Sequence, residues 1–115
     1  MFLTLSEIAE QQDLPVYYYP FKNPKQNGLY VKNNRPYIII NSELTNNPVQ
    51  HWWVLAEEIG HHLTGAQSNI LTDNTVVGRI KIQIDEYKAR LWAEKYFKQL
   101  LITNASMGAF PHLPK

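Results

Sequence analysis

The chain has no cysteine, only 5 glycines, and no apolar run long enough to cross a bilayer. The first absence excludes disulfides, thiolate-bound zinc and a cysteine nucleophile together. It fits a reducing compartment. Any metal site must then be built from histidine and carboxylates, and there are only 4 histidines. No stretch approaches the roughly 18 apolar residues of a membrane span. The segment from Met1 to Gln12 lacks a basic start, and Ser6 and Glu7 interrupt its apolar run. A secretory signal is therefore not expected. Charge of one sign is also lacking: 11 Lys plus Arg face 10 Asp plus Glu, a formal net charge of +1. Binding to a phosphate backbone needs a clustered basic surface, so no direct nucleic-acid contact is expected. A cytoplasmic protein with no membrane partner is the resulting expectation.

What is present is a foldable composition. Hydrophobic residues make up 44% and charged residues 18% of 115 residues, which is not the balance of a disordered chain. The length predicts one domain over 1–115. Such a domain buries roughly two-thirds of its extended surface. The first half is rich in Pro, Asn and Tyr, and the second half has helical periods. That segregated order predicts an α+β fold.

Thr4 and Glu7 have the spacing of a capping box and open a predicted helix over 5–12, which Pro15 stops. Val16 to Tyr19, Leu29 to Lys32 and Tyr37 to Ile40 read as strands. The last two are joined by a four-residue hairpin, Asn33 to Pro36. The strands are expected to form a small antiparallel sheet. Asn47-Pro48 predicts a helix start, and Gly65 a left-handed stop after about Leu63. Residues 66–75 read as loop. A long last helix should run from near Gly78 to about Leu101, with an irregular tail from about residue 103. On it, Ile80, Ile84, Tyr87 and Leu91 form one stripe, and Ala89, Trp92, Ala93 and Tyr96 a neighbouring one.

The chemistry lies in Val54-Leu55-Ala56-Glu57-Glu58-Ile59-Gly60-His61-His62. Residues four apart share a helix face, about 5–6 Å between Cβ atoms, so Glu57 and His61 form a pair. Glu58 points about 100° away from Glu57. The spacing is that of the zinc-protease helix H-E-x-x-H, with Glu57 in place of the first histidine. Carboxylate oxygen is an accepted zinc ligand, but a harder one. A second arrangement also fits: His51, Leu55, Glu58 and His62 share a stripe, so Glu58 and His62 could be the ligand pair. Trp52, Ala56, Ile59 and Leu63 read as core, and Trp53 and Trp92 as packing residues. Asp85 and Glu86 on the last helix could supply a third donor. Ala89 and Ala93 would let that helix approach closely enough to bring Glu86 onto the Glu57/His61 face.

These blocks carry a family likeness. Leu55 to His62 resembles the active-site helix of the ImmA/IrrE metallo-endopeptidases, whose members read His-Glu-Leu-Gly-His there. Glu86-Tyr87-Lys88-Ala89-Arg90-Leu91-Trp92-Ala93 matches a second family pattern, Glu-x-x-Ala-x-x-aromatic-Ala. The resemblance spans about Leu5 to Leu101. It implies a zincin-like minimal domain of phage or mobile-element origin. It implies a divalent metal, zinc above all, held by Glu57, His61 and Glu86, with Glu58 as general base. Glu57 stands where the family carries histidine, and Leu100-Leu101-Ile102-Thr103 stands where it often carries Leu-Leu-Met-Pro. The resemblance further implies a helix-turn-helix repressor as substrate or partner, cleaved or inactivated to control lysogeny or excision. The alternative is a metal-poor relative that binds the repressor without cleaving it.

Overall fold

A computed structural model describes residues 2–23, 25–65 and 76–106. Helix α1, Leu5–Gln11, opens on the predicted capping box. The Glu7 N–H donates to Thr4 Oγ1 (3.1 Å), and the Thr4 N–H donates to Glu7 Oε1 (2.9 Å). The helix ends before Pro15 is reached. Asp13 takes a left-handed conformation, φ 53°, which Asp tolerates better than most residues. The Leu14 N–H then folds back onto the Ala9 carbonyl at 2.9 Å.

Three strands follow: β1, Val16–Tyr19; β2, Gly28–Val31; and β3, Tyr37–Asn41. Their order is β1-β3-β2. β2 is antiparallel to β3, as the hairpin requires, but β1 is parallel to β3. The expected antiparallel sheet is therefore a mixed one. The hairpin rule constrains only β2 against β3. The richest apolar run, Ile38-Ile39-Ile40, takes the centre, with Ile38 and Ile40 fully buried. β1, bracketed by Pro15 and Pro20, is left to an edge, where missing N–H groups cost nothing. Residues 20–36, which contain β2, form the crossover that lets β1 and β3 run the same way. The hairpin connection is five residues, 32–36, because the ladder closes at Val31 opposite Tyr37. That is one residue more than the turn reading predicts.

A 3₁₀ turn, Ser42–Asn46, was not foreseen; the Asn41 side chain caps it by accepting from the Glu43 N–H at 3.2 Å. Helix α2, Pro48–Thr64, then begins with Asn47 as cap and Pro48 in its first turn, and stops at Gly65 with φ 69°. Both ends are where cap chemistry placed them. Helix α3, Val76–Ser106, is longer than predicted at both ends, so the helix continues past residue 103. The predicted loop 66–75 and the tail beyond 106 lie outside the described residues.

Among the described residues α2 is the central element, with α3, β2, β3, α1 and the 3₁₀ turn all packed against it. Leu55, Ala56 and Ile59 of α2 meet Ile38 and Ile40 of the sheet and Ala93, Tyr96 and Phe97 of α3 in one buried cluster. Trp53 lies 4.6 Å from Phe97 ring to ring, and Trp92 stacks on Tyr96, so both tryptophans pack. Leu63, expected in the core stripe, is exposed instead, at the last turn of α2. Of the two stripes on α3, the alanine-rich one is buried. The one with Ile80, Ile84 and Tyr87 faces solvent.

Candidate active site

Two close approaches assemble the site. At Gly60 of α2, a Cβ would lie 2.6 Å from the Ala89 carbonyl oxygen of α3. No side chain fits there, so the absent Cβ and the buried Ala89 and Ala93 let the helix backbones touch. At Gly28 of β2, a Cβ would lie 2.6 Å from Val54 Cγ1 and 3.1 Å from Glu58 Oε2. The first approach places Glu86 beside His61, and the second lays β2 over Glu58. Between them lies a cleft of about 250 Å³, lined by Gly28, Tyr30, Glu58, His61, Ile82 and Glu86 among others.

His61 is buried, and its Nε2 stands 3.4 Å from Glu86 Oε2, whose side chain is 41% exposed. Glu58 lies within the same electrostatic group. Burial is the main influence on its carboxyl, and with Glu86 and Glu57 it pushes the pKa up to about 7; His61 and the Tyr30 N–H oppose this. Glu57 is half-buried. Its pKa is also raised, first by burial and then by Glu86 and Glu94, against Arg90 and His61. The four sequence-predicted residues, Glu57, Glu58, His61 and Glu86, thus share one field.

The fit to a metal is sound in chemistry and incomplete in geometry. Three carboxylates around one imidazole, two of them with raised pKa values, form a group that a cation would relieve. One imidazole and two carboxylates are also an acceptable donor set for a divalent ion. Yet no group of three His, Asp or Glu side chains stands at metal-holding distance among the described residues. His61 and Glu86 are together, and Glu57 is not gathered with them.

The other two histidines among the described residues, His51 and His62, are engaged by tyrosines. His62 Nδ1 lies 2.7 Å from the Tyr30 hydroxyl, and His51 Nε2 lies 2.7 Å from the Tyr18 hydroxyl. Burial lowers both imidazole pKa values, and Lys32 lowers that of His62 further. Burial also raises both tyrosine pKa values. These shifts favour the neutral form of each partner, so each imidazole and phenol share one hydrogen bond between neutral groups. His62 is thereby turned to Tyr30 of β2, and His61 is the histidine that stands with Glu86. Asp85, the other acidic candidate, is buried with Oδ2 unpartnered, and it lies about 100° around α3 from Glu86.

Tyr30 and Gly28 are the site residues that motif reading missed. Tyr30 gives its main-chain N–H to Glu58, and its hydroxyl shares a hydrogen bond with His62. Strand alternation shows that Tyr30 shares a face with Ile38. That the face lies on α2 is tertiary information.

Fold and site together define a small metallopeptidase-like domain, in which a glutamate-bearing helix faces an acidic residue of a second helix beneath a sheet edge. The chain belongs to the family described as the IrrE N-terminal-like domain (Peptidase_M78), whose sequence model matches residues 9–95. No curated protein matches the chain. Among the described residues no helix is long and apolar enough to cross a membrane.

Proposed function

We propose that the domain is a metal-dependent endopeptidase of phage or mobile-element origin that acts on a helix-turn-helix repressor. One observation carries this reading: a carboxyl with pKa about 7, Glu58, stands beside the His61–Glu86 pair in one cleft. A general base works best with a pKa near the operating pH. Glu58 would take a proton from water and later give it to the leaving amine. Glu57, His61 and Glu86 would hold the metal, zinc by preference, which would supply Lewis acidity toward water and the peptide carbonyl.

The edge of β2 would align the substrate. The Asn41 N–H donates to the Asn27 carbonyl at 2.7 Å, which makes 27, 29 and 31 the residues bonded toward β3. The main-chain groups of Gly28 and Tyr30 therefore point away from β3. The Tyr30 N–H goes to Glu58, and an extended segment would pair along the rest of that edge.

The test is repressor loss in cells with wild type and with Glu58→Gln, which keeps shape and removes the base. Loss with wild type alone is expected, and equal loss in both would overturn proteolysis by this route. A second reading is favoured by the ungathered Glu57: a metal-poor relative that binds the repressor and acts by occupancy. It predicts repressor binding by Glu58→Gln and no bound zinc after purification without chelator.

A further inference from the structure

α3 carries two apolar faces. One, with Ala89, Ala93, Tyr96 and Leu100, is buried in the domain. The other lies half a turn around the helix. There Ile80, Ile84, Tyr87 and Leu101 are 50%, 48%, 62% and 51% exposed. Exposed apolar side chains aligned on one helix face mark an interaction site in a folded monomer.

The spacing along this face is informative. Ile84, Tyr87, Leu91, Glu94, Lys98 and Leu101 alternate steps of three and four, the seam of a two-stranded coiled coil. The seam is apolar except at its middle, where Glu94 is followed by Lys98. A parallel partner would set Glu94 against Glu94 and Lys98 against Lys98, like charges in a desolvated seam. An antiparallel copy with its two-fold axis between Glu94 and Lys98 sets Glu94 against Lys98 twice. The same alignment sets Leu91 against Leu101 twice. It overlaps the helices by about 20 residues, roughly 30 Å, with a Tyr87 near each end and Ile80 and Ile84 beyond the paired segment.

We propose that α3 pairs antiparallel with α3 of a second copy of this chain in that register. The charge pattern of the seam matches itself under a two-fold rotation, as an isologous interface demands. A shorter slip, opposing Ile80 to Leu91 and Ile84 to Tyr87, sets Lys81 against Lys88 twice along one rim. The longer register leaves only Lys95 facing its own copy. Among the described residues, the face of α3 that packs on the domain, with Ala93, Tyr96 and Leu100, is opposite the seam. The cleft with Glu58, His61 and Glu86 stays on the domain side of the helix.

The experiment is sedimentation equilibrium of the full chain over a wide concentration range, with circular dichroism to confirm folding. The wild type is expected to dimerise reversibly. Leu101→Glu, at an exposed position, is expected to be a folded monomer. Glu94→Lys alone and Lys98→Glu alone each set like charges face to face twice and should weaken the dimer by about tenfold or more. The double swap Glu94→Lys with Lys98→Glu restores opposite charges and should return association to near the wild-type level. A wild type monomeric at every concentration overturns the proposal, as does a dimer indifferent to the single swaps. A double swap no better than the single ones overturns the antiparallel register.

Discussion

Glu57 and Glu58 are neighbours in sequence that point in different directions, because a helix turns about 100° per residue. Glu57 lies on the His61 face, where zinc-protease spacing sets a histidine. Glu57→His would remove one negative charge from the group and add a softer donor. Zinc affinity, read by titration calorimetry, should rise at least tenfold; an unchanged affinity would mean that position 57 does not reach the metal. Glu58 makes a second prediction. Its carboxyl has a pKa of about 7 in the fold against an ordinary value of 4.5. Between those values the native state holds more proton than the unfolded chain, so this group's contribution to stability falls as pH rises through the window and flattens above it. The lowered pKa values of His51 and His62 act oppositely, gaining stability as pH rises toward 6.5. The measurement is thus a difference: in chelator, Glu58→Gln should gain on the wild type from pH 4.5 to about 7 in urea unfolding. A constant difference would show that Glu58 titrates normally. The spacing of Glu57, Glu58 and His61 was legible because one helix carries all three. Tyr30 was not, since its role depends on which strand covers that helix.

At the level of elements, chain signals sufficed wherever an end is decided locally. Thr4 with Glu7, Asn47 with Pro48, and Gly65 each mark a helix end by a contact within a few residues. The parallel pairing of β1 and β3 and the 3₁₀ turn were not legible. The first depends on which strand wins the centre, and the second is a short helix whose signal is one Asn side chain. The α2–α3 crossing falls between these cases. Ala89 and Ala93 announced a close approach, but its tightest point is Gly60, whose absent Cβ leaves room for the Ala89 carbonyl. Gly60→Ala would gain about 0.5–1 kcal/mol of helix propensity. It would lose about 1–3 kcal/mol to overpacking against a backbone that cannot yield. A net fall in Tm of several degrees is expected, together with weaker metal binding as His61 and Glu86 separate. A Tm at or above wild type would show that the crossing has slack. Thr4→Ala, by contrast, should cost about 1 kcal/mol through the lost cap and leave metal binding untouched.

Over the whole molecule, a formal charge of +1 conceals one acidic locality, where Glu57, Glu58, Glu86 and His61 share one electrostatic field. The total carries no trace of it, because basic residues elsewhere balance it; only the fold brings α3 to α2 and concentrates the charge. Under the proposed function that concentration would link stability to metal. An ion that binds the native state alone stabilises by RT ln(1 + [L]/Kd), about 2.7 kcal/mol at a hundredfold excess over Kd. For a domain of this size that raises Tm by roughly 10 °C. Binding requires ionised carboxylates and a neutral imidazole, so it releases protons and weakens in acid. The zinc-induced rise in Tm should therefore be greatest above about pH 7, where Glu58 has ionised, and should shrink toward pH 4.5. Without metal, the Glu58 contribution runs the other way. The two scans should consequently diverge as pH increases. In His61→Ala the zinc-induced rise should vanish at every pH, while an equal rise in that variant would place the metal elsewhere on the chain.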